Sequence, residues 1–261
     1  MARKPWNDID FTNFWGWLKY ADQFSLYFPY IVFIILGTLA VVHEGGFIRL
    51  VDSMGDDRSV VKAARVSYNQ ESKGEDADKK LINYLAEHKH GTPFEHIVFT
   101  FHIRCPIFVA RQWFRHRIGS FNEISGRYVK LETDFFKPTA FRQNHNENHQ
   151  ASIVGDFTKE ETERIMQEYE YALDIIRSTY ESLLSKGVAR EQARAILPVG
   201  TYTEFYWTVN ARSLFNFLVL RTDKNAQQEI RDYAKVIKFL AEDIAPWSFE
   251  AFWKDIETEE E

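Results

Sequence analysis

The chain has 261 residues, of which 45% are hydrophobic and 27% are charged. This length allows one large domain or two small ones, and the composition excludes a disordered, collagenous or coiled-coil protein. The 38 Asp and Glu residues outnumber the 32 Lys and Arg residues, and the net charge of −6 argues against binding to a long nucleic acid. The single cysteine, Cys105, can form no internal disulfide, which fits a reducing compartment such as the cytoplasm.

An apolar N-terminal extension, residues 1–37, stands apart from a body formed by residues 38–261. Residues 26–42 read LYFPYIVFIILGTLAVV and are long enough to be weighed as a membrane span. The run is of marginal length, and the cations and carboxylates that precede it balance, so its orientation is weakly encoded. We therefore favour an extension packed on the body or on a partner subunit, with membrane contact as the less favoured alternative.

The first part of the body shows clear periodicity. Residues 47–54 alternate well enough to form a strand, and residues 59–66 predict a short helix. Residues 76–89 carry apolar side chains at helical spacing and predict a second helix that stops at Gly91. The clearest strand covers residues 96–105, where apolar and polar side chains alternate.

The middle of the chain changes from helix to loop. Pro106 opens a predicted helix over residues 107–116, because proline is favoured at the first helical position. Residues 118–128 read IGSFNEISGRY, and their glycines, serines and asparagine predict a loop. Residues 142–157 are polar and predict a mobile segment.

The remainder is mainly helical. Thr158 and Glu161 form a capping-box signature that begins a long amphipathic helix ending at Gly187. Residues 190–197 predict another helix, and residues 201–209 are rich in the aromatic and β-branched residues typical of strands.

The C-terminal part predicts two more helices. Asn210 can cap the first of them, and the second ends at Pro246. Strands and helices follow one another without strict alternation. This order favours an α+β fold over a doubly wound sheet.

A dense cluster of cations suggests an anion-binding site. It consists of Arg111, Arg115, His116, Arg117 and Arg127. Guanidinium groups match phosphate oxygens bidentately, and the glycine-containing loop that follows lets backbone N–H groups approach the same anion. A solvated basic helix end, with salt bridges to acidic neighbours, is an equally weighted alternative.

A metal site is the weaker interpretation of the acidic and imidazole groups near residue 90. Glu87, His88, His90, Glu95 and His96 lack the i, i+4 histidine spacing of H-E-x-x-H and any cysteine partner. His145 and His149 are four residues apart but lie in the polar segment, where loop histidines are expected, and His102 is expected to have its partners on the polar face of its strand. We therefore expect no metal.

Several blocks of the sequence resemble flavin-dependent thymidylate synthases. Arg115-His116-Arg117, seven further residues and then Ser125 match the family's R-H-R-x7-S signature. The surrounding residues 88–128, the ARAILP segment at 193–198 and residues 207–221 are similar to that family as well. The resemblance extends over residues 40–254, so the body is expected to be a catalytic domain whose first strand lies at residues 38–42.

The resemblance implies an enzyme that makes deoxythymidylate (dTMP) from deoxyuridylate (dUMP). Methylenetetrahydrofolate would be the carbon donor, FAD would mediate hydride transfer and NADPH would be the reductant. The implied fold is an antiparallel sheet packed with long helices, and the implied assembly is a homotetramer with shared active sites. The alternative from another class is a non-catalytic nucleotide-binding or membrane-anchored scaffold that kept the basic loop.

The resemblance also implies which residues form the site. For dUMP these are Gln112, Trp113, Phe114, Arg115, Glu123, Ile124, Ser125, Gly126, Arg127, Arg194 and Arg221. For FAD they are Ser67, His90, Thr92, Glu95, Arg115, His116, Arg117, Glu123, Asn210, Ala211, Arg212 and Asn216. His90 and Tyr128 are expected near the flavin or folate ring. Arg221 matches the catalytic position that stabilises negative charge developing on the uracil ring.

The sequence predicts flavin chemistry without an enzyme nucleophile. Cys105 lies at the end of an apolar strand with no evident activation. Ser125 has no identifiable base and is expected to contact substrate. No G-x-G-x-x-G occurs, so a Rossmann turn is not expected to hold the flavin. Asn225 departs from the family pattern, which has histidine at that position.

Overall fold

A computed structural model describes residues 39–43, 45–144 and 152–259 of the chain. Residues 1–37, which carry most of the apolar run, lie outside the described residues, as do His145 and His149. No helix within the described ranges is long and apolar enough to cross a membrane. The interpretation of the N-terminal extension therefore stays a prediction.

The centre of the fold is a five-stranded antiparallel sheet with the strand order β1-β2-β3-β7-β4. Its strands are β1 (Leu39–Val42), β2 (Gly46–Met54), β3 (Val98–Pro106), β4 (Ser120–Glu123) and β7 (Tyr202–Asn210). A second, two-stranded sheet pairs β5 (Arg142–Asn144) with β6 (Ser152–Val154).

Eight α-helices accompany the sheets in the described part of the chain. They are α1 (Asp57–Arg65), α2 (Glu75–Glu87), α3 (Ile107–Trp113), α4 (Lys159–Ser185), α5 (Arg190–Ala193), α6 (Ala211–Thr222), α7 (Gln228–Glu242) and α8 (Pro246–Glu259). Short 3-10 helices cover Val66–Tyr68, Thr92–His96 and Arg194–Ile196. The predicted α+β class, an antiparallel sheet with long helices, is confirmed.

An aromatic core joins the helices to one face of the sheet. Trp113 of α3 is fully buried, and its ring lies 5.5 Å from that of Phe205 in β7, 5.0 Å from that of Phe217 in α6 and 6.0 Å from that of Tyr233 in α7. Large aromatic side chains remove much apolar surface from water, so this cluster contributes strongly to stability. The cluster also fixes α3, which leads into the Arg115-His116-Arg117 segment, and α6, which carries Arg212 and Arg221.

Some predicted boundaries are wrong. The predicted loop at residues 118–128 contains β4, which pairs with β7 from Ser120↔Thr208 to Glu123↔Phe205. The predicted mobile segment at residues 142–157 contains β5 and β6. These strands have only three or four residues each, so the alternation that marks longer strands is absent from them.

The boundaries at the two prolines also differ from expectation. Pro106 is the last residue of β3 and the N-cap of α3, instead of the first helical residue, and α3 ends at Trp113. Pro246 does not close the helical region but begins α8. The buried Asp57 carboxylate accepts hydrogen bonds from the backbone N–H groups of Trp247 and Ser248 at 2.8 and 2.9 Å, which satisfies the start of this helix.

Candidate active site

Helix α6 carries an arginine at each end, and these arginines mark two groups of predicted site residues. β7 leads directly into α6, and the Asn210 side chain caps the helix by accepting a hydrogen bond from the Ser213 N–H at 2.9 Å, as predicted. Arg212 lies in the first turn and Arg221 in the last. They are nine residues apart, which corresponds to about 14 Å along the helix.

At the end of α6, Arg221 is held by two neutral acceptors. Its Nε donates to Nε2 of His116 at 2.9 Å, and its Nη2 lies 3.5 Å from the backbone oxygen of Gln112. The His116 ring also packs edge-on against Phe217 at 5.0 Å. Because Nε2 accepts, the neutral imidazole carries its proton on Nδ1.

Electrostatics keep His116 neutral. Burial, reinforced by the charge of Arg221, lowers the pKa of His116 from 6.5 to about 4. Burial, followed by the nearby charge of Arg115, lowers the pKa of Arg221 as well. A guanidinium remains protonated at neutral pH even so. The site therefore concentrates uncompensated positive charge, which favours an anionic ligand.

Three exposed cations of the cluster differ from the salt-bridged helix end offered as an alternative. Arg111, Arg115 and Arg117 are exposed, and none of them has an ion-pair partner among the residues that the structure describes. A solvated basic surface would be expected to gain carboxylate neighbours in a protein of net charge −6. Their absence here supports the anion-binding interpretation.

The loop after β4 brings two further arginines together. A Cβ atom on Gly126 would lie 3.1 Å from Cδ of Arg194 and 2.8 Å from Cδ1 of Leu131, so the Arg194 side chain lies close above the glycine. Arg127 forms an ion pair with Glu191 at 3.4 Å, and its backbone N–H donates to Oγ of Ser125 at 3.3 Å. Arg127, Arg194 and Ser125 thus occupy one part of the surface.

β4 positions the first residues of this loop. The Thr203 hydroxyl donates to Oε1 of Glu123 at 2.6 Å, and the Ile124 N–H donates to the Glu204 backbone oxygen at 2.9 Å. Cys105, near the end of β3, is fully buried, and this burial raises the pKa of its thiol well above the usual range. This finding agrees with the prediction that Cys105 is no nucleophile, since a thiol without thiolate character is inert.

At the start of α6, a cavity of about 860 Å³ contains four of the residues predicted to bind FAD. We call it the His90 cavity, and it is lined by Ser67, His90, Thr92 and Arg212 among others. Nη1 of Arg212 donates to Oε1 of Glu95 at 2.6 Å, which adds a fifth predicted residue.

Gly91 makes room for Arg212 at this cavity. A Cβ atom at position 91 would lie 2.6 Å from the Arg212 Nε, closer than real Cβ contacts allow. The helix-ending glycine recognised in the sequence therefore has a second role here. It allows a guanidinium to cross the backbone beside the cavity.

Tyr84 lines the His90 cavity, although the sequence did not predict it as a site residue. Its ring stacks on His88 with a centroid distance of 4.0 Å and lies 6.1 Å from His90. Nδ1 of His88 also lies 2.9 Å from the Tyr84 backbone oxygen. The i, i+4 spacing of Tyr84 and His88 on a predicted helix was the available signal.

His88 and His90 of the rejected metal site are thus engaged with the Tyr84 ring. Within the described ranges no group of three or more His, Cys, Asp or Glu side chains is placed to hold a metal ion. His102 has partners on its strand face, as expected, in Arg49 at 3.2 Å and Glu204 at 3.1 Å.

Two predicted site residues have side chains that cannot reach a ligand. Trp113 and Ala211 are fully buried in the core, so only their backbone atoms are left for binding. Phe114 is half-buried between Phe121 and Phe205, with ring distances of 5.0 Å to each. The sequence motif could not separate these residues from the exposed arginines beside them, because a motif does not show which of its side chains are buried.

Gly126 is buried as well, whereas several other predicted residues are exposed. Among them are Arg115, Arg117, Asn216 and Tyr128, and Tyr128 is 75% exposed. Asn225, the departure from the family pattern, donates its backbone N–H to Oδ1 of Asp223 at 2.6 Å just beyond the end of α6.

Comparison with known proteins identifies the family. The family model described as "Thymidylate synthase complementing protein" matches residues 49–247. A flavin-dependent thymidylate synthase of Thermosipho africanus is 56% identical over 218 residues, which cover 81% of this chain and 92% of that protein. The chain belongs to the flavin-dependent thymidylate synthase family. The enzyme class that the sequence predicted, a methyltransferase of this family, is confirmed.

More distant members agree with this assignment. A flavin-dependent thymidylate synthase of Thermus thermophilus is 49% identical over 211 residues, which cover 81% of this chain and 77% of that protein. The crystal structure of a UMP/dUMP methylase, PolB from Streptomyces cacaoi bound with 5-Br UMP, matches with a TM-score of 0.74 and 36% identity over 82% of this chain and 96% of that one. All the site residues described above lie within the residues that the family model matches.

Proposed function

We propose that this enzyme converts dUMP to dTMP by reductive methylation, with methylenetetrahydrofolate as carbon donor, FAD-mediated hydride transfer and NADPH as reductant. The observation that carries the proposal is Arg221, a half-buried guanidinium that is held by neutral His116 and lies near the exposed, unpaired Arg115. Relatives named as thymidylate synthases and a solved relative titled as a UMP/dUMP methylase support the same substrate class.

The phosphate of dUMP would be bound by the loop after β4. Arg115, Arg127 and Arg194 offer guanidinium forks for a phosphate dianion, and Ser125 offers a hydroxyl. Gly126 lets the Arg194 side chain pack close to this loop. The Arg127 ion pair with Glu191 is exposed on both sides and therefore stabilises the free protein little. A phosphate can displace that carboxylate at small cost.

Arg221 would act on the pyrimidine ring. The hydrogen bond to His116 and the contact with the Gln112 carbonyl orient the guanidinium before substrate arrives. Because neutral His116 adds no positive charge, the full charge of Arg221 can stabilise negative charge that develops on the ring. Partial burial strengthens this interaction, since fewer water molecules screen it.

The His90 cavity fits part of a flavin nucleotide. Its volume of about 860 Å³ lies within the range of cofactor pockets, and Arg212 supplies a cation for a diphosphate. Ser67, Thr92 and His90 supply polar groups along its wall, with Glu95 fixing Arg212. When bound, reduced FAD supplies the hydride for the methylation. Tyr128 and His90 remain the proposed neighbours of the flavin or folate ring.

The division of the predicted FAD residues supports a shared site. One group lies with Arg212 at the start of α6, and the other, with His116, lies near Arg221 at its end. These groups are about 14 Å apart along the helix within one chain. We therefore propose a homotetramer in which copies of the chain contribute different groups to one active site, and the single buried cysteine is consistent with a cytoplasmic enzyme.

The proposal is tested by tritium release from dUMP labelled at the carbon that receives the methyl group. Purified enzyme loaded with FAD should release tritium and form dTMP only when methylenetetrahydrofolate and NADPH are both present. UMP offered in place of dUMP tests whether the ribose 2′-hydroxyl is tolerated. A flavin-loaded protein that binds dUMP but forms no dTMP would support the scaffold alternative instead.

A further inference from the structure

A second cavity lies beside the His90 cavity. Its volume is about 720 Å³, and its walls come from α1, the segment that follows it, the start of α2 and Trp247 of α8. We call it the Lys62 cavity, after a lysine in its wall. Arg65 and Gln70 line both cavities, so the two spaces are neighbours separated by these side chains.

Two cations of the Lys62 cavity are free to bind an anion. Arg58 and Lys62 are four residues apart on α1 and therefore share one face of the helix. Both are exposed, and neither has an ion-pair partner among the described residues. An anion with two charges would find two cations on one wall.

Most carboxylates of the cavity are already engaged. Asp78 accepts hydrogen bonds from Arg65 at 2.7 Å and from Ser72 at 2.5 Å, and Glu75 forms an ion pair with Lys79 at 2.8 Å. The remaining lining carboxylate, Glu71, is outnumbered by Arg58 and Lys62.

Arg65 provides a buried donor at the boundary of the two cavities. The residue is 8% exposed, and its Nε has no hydrogen-bond partner among the residues described. A buried N–H without a partner is rare in native proteins, because its lost hydration is not replaced. An anionic ligand that extends from one cavity into the other would accept a hydrogen bond from the Arg65 Nε–H.

Part of the cavity lining is apolar. Trp247 contributes its ring, and Lys79 Nζ lies 5.0 Å from the centroid of that ring. Val61 and Val66 complete this apolar part. A purine base can pack against such a surface, since every base has an aromatic face.

We propose that the Lys62 cavity binds the adenosine 2′-phosphate end of NADPH, the reductant of the proposed reaction. The 2′-phosphate would lie against Arg58 and Lys62, and the purine against Trp247. The diphosphate would pass Arg65, so that the nicotinamide end reaches the flavin bound at the His90 cavity. The identity of the ligand rests on the proposed function, whereas the preference for a phosphorylated nucleoside rests on the cavity itself.

The first test compares NADPH with NADH, which has the same adenosine and diphosphate but lacks the 2′-phosphate. Flavin reduction by each is followed without oxygen in the FAD-loaded enzyme and in its Arg58→Ala/Lys62→Ala variant. The KM for NADPH should rise at least about tenfold in the variant, because a charge-assisted phosphate contact is lost, while the KM for NADH stays the same. Lys80→Ala, an exposed lysine of α2 outside the cavity, is the matched control and should change neither value.

A second test separates this site from the reaction. Adenosine 2′,5′-bisphosphate and AMP are titrated calorimetrically into the FAD-loaded enzyme and the double variant. Selective binding of the bisphosphate that the variant loses supports the site, even if no dTMP is formed, an outcome that would overturn only the proposed function. Equal binding of both nucleotides by the wild type, or an unchanged KM for NADPH in the variant, would overturn the site while leaving dTMP synthesis untouched.

Discussion

The two ends of helix α6 carry the same residue type in different surroundings. At its start, Arg212 pairs with Glu95, and the two side chains are 57% and 39% exposed. At its end, Arg221 is half-buried and is held by the neutral groups of His116 and Gln112. An exposed guanidinium oriented by a carboxylate can hold a ligand phosphate, whereas a half-buried, uncompensated guanidinium acts strongly on charge that develops beside it. Environment, more than residue type, separates binding from catalysis on this helix.

Removal of the buried arginine should have the largest effect. Arg221→Ala is expected to lower kcat for dTMP formation by about a hundredfold to a thousandfold, the typical loss when one preorganised donor to developing charge is removed. FAD binding should weaken less than turnover, because Arg212 and the His90 cavity lie at the other end of α6. Steady-state rates and flavin absorbance of the purified variant measure both quantities. Turnover at the wild-type rate would show that Arg221 has no catalytic role.

Replacement of the exposed arginine, Arg212, should weaken FAD binding more than it lowers kcat. Arg212→Ala is expected to weaken FAD binding by about tenfold, the cost of one charge-assisted contact, with little change in kcat once FAD is saturating. Titration of the apoprotein with FAD, followed by turnover at saturating FAD, measures the two effects. If kcat at saturation falls as far as in Arg221→Ala, the two ends of α6 are not distinct in function.

The sequence predicted features that depend on near neighbours in the chain. The capping box of Thr158 and Glu161 was predicted and is confirmed, with the Glu161 N–H donating to Oγ1 of Thr158 at 3.2 Å. The cap of α6 by Asn210 was predicted in the same way. Such hydrogen bonds join residues a few positions apart, so a local pattern records them.

Features that depend on distant residues were missed. β4 forms by pairing with β7, where Ser120 lies opposite Thr208. The helix α8 begins at Pro246, where Asp57 of another helix accepts hydrogen bonds from its first turn. The pairing of His116 with Arg221 joins residues 105 positions apart, so the family resemblance named both residues but could not show the contact. Local propensity carries no information about partners that only the fold brings together.

The hydrogen bond between His116 and Arg221 can be tested by keeping or removing the acceptor. His116→Gln offers an amide oxygen to the Arg221 guanidinium, whereas His116→Ala offers none. The kcat of the Gln variant should therefore lie between those of the wild type and the Ala variant, since a hydrogen bond to a charged group contributes about 1.5–3 kcal/mol. Equal rates in both variants would show that His116 does not orient Arg221.

The lowered pKa of His116 also predicts a pH dependence of stability. Because the folded pKa is about 4 and the ordinary value is 6.5, the unfolded chain binds a proton on this group more readily than the folded chain does. Its contribution is therefore complete above pH 6.5 and is lost as the pH falls towards 4. Urea unfolding of the wild type and His116→Gln should show a free-energy difference that shrinks over this window. A difference that does not vary with pH would contradict the shift.

The smallest effect on catalysis is expected from replacing Cys105, near the end of β3. Cys105→Ala should leave kcat unchanged, because the fully buried thiol has a raised pKa and carries almost no thiolate at neutral pH. Loss of the small buried side chain should lower the free energy of unfolding by about 1 kcal/mol, as other small core truncations do. Turnover and urea unfolding of the same preparation measure the two effects. Lost turnover with normal flavin content and folding would mean that an enzyme thiol attacks the pyrimidine, and the charge of Arg221 would then assist a covalent step instead of replacing one.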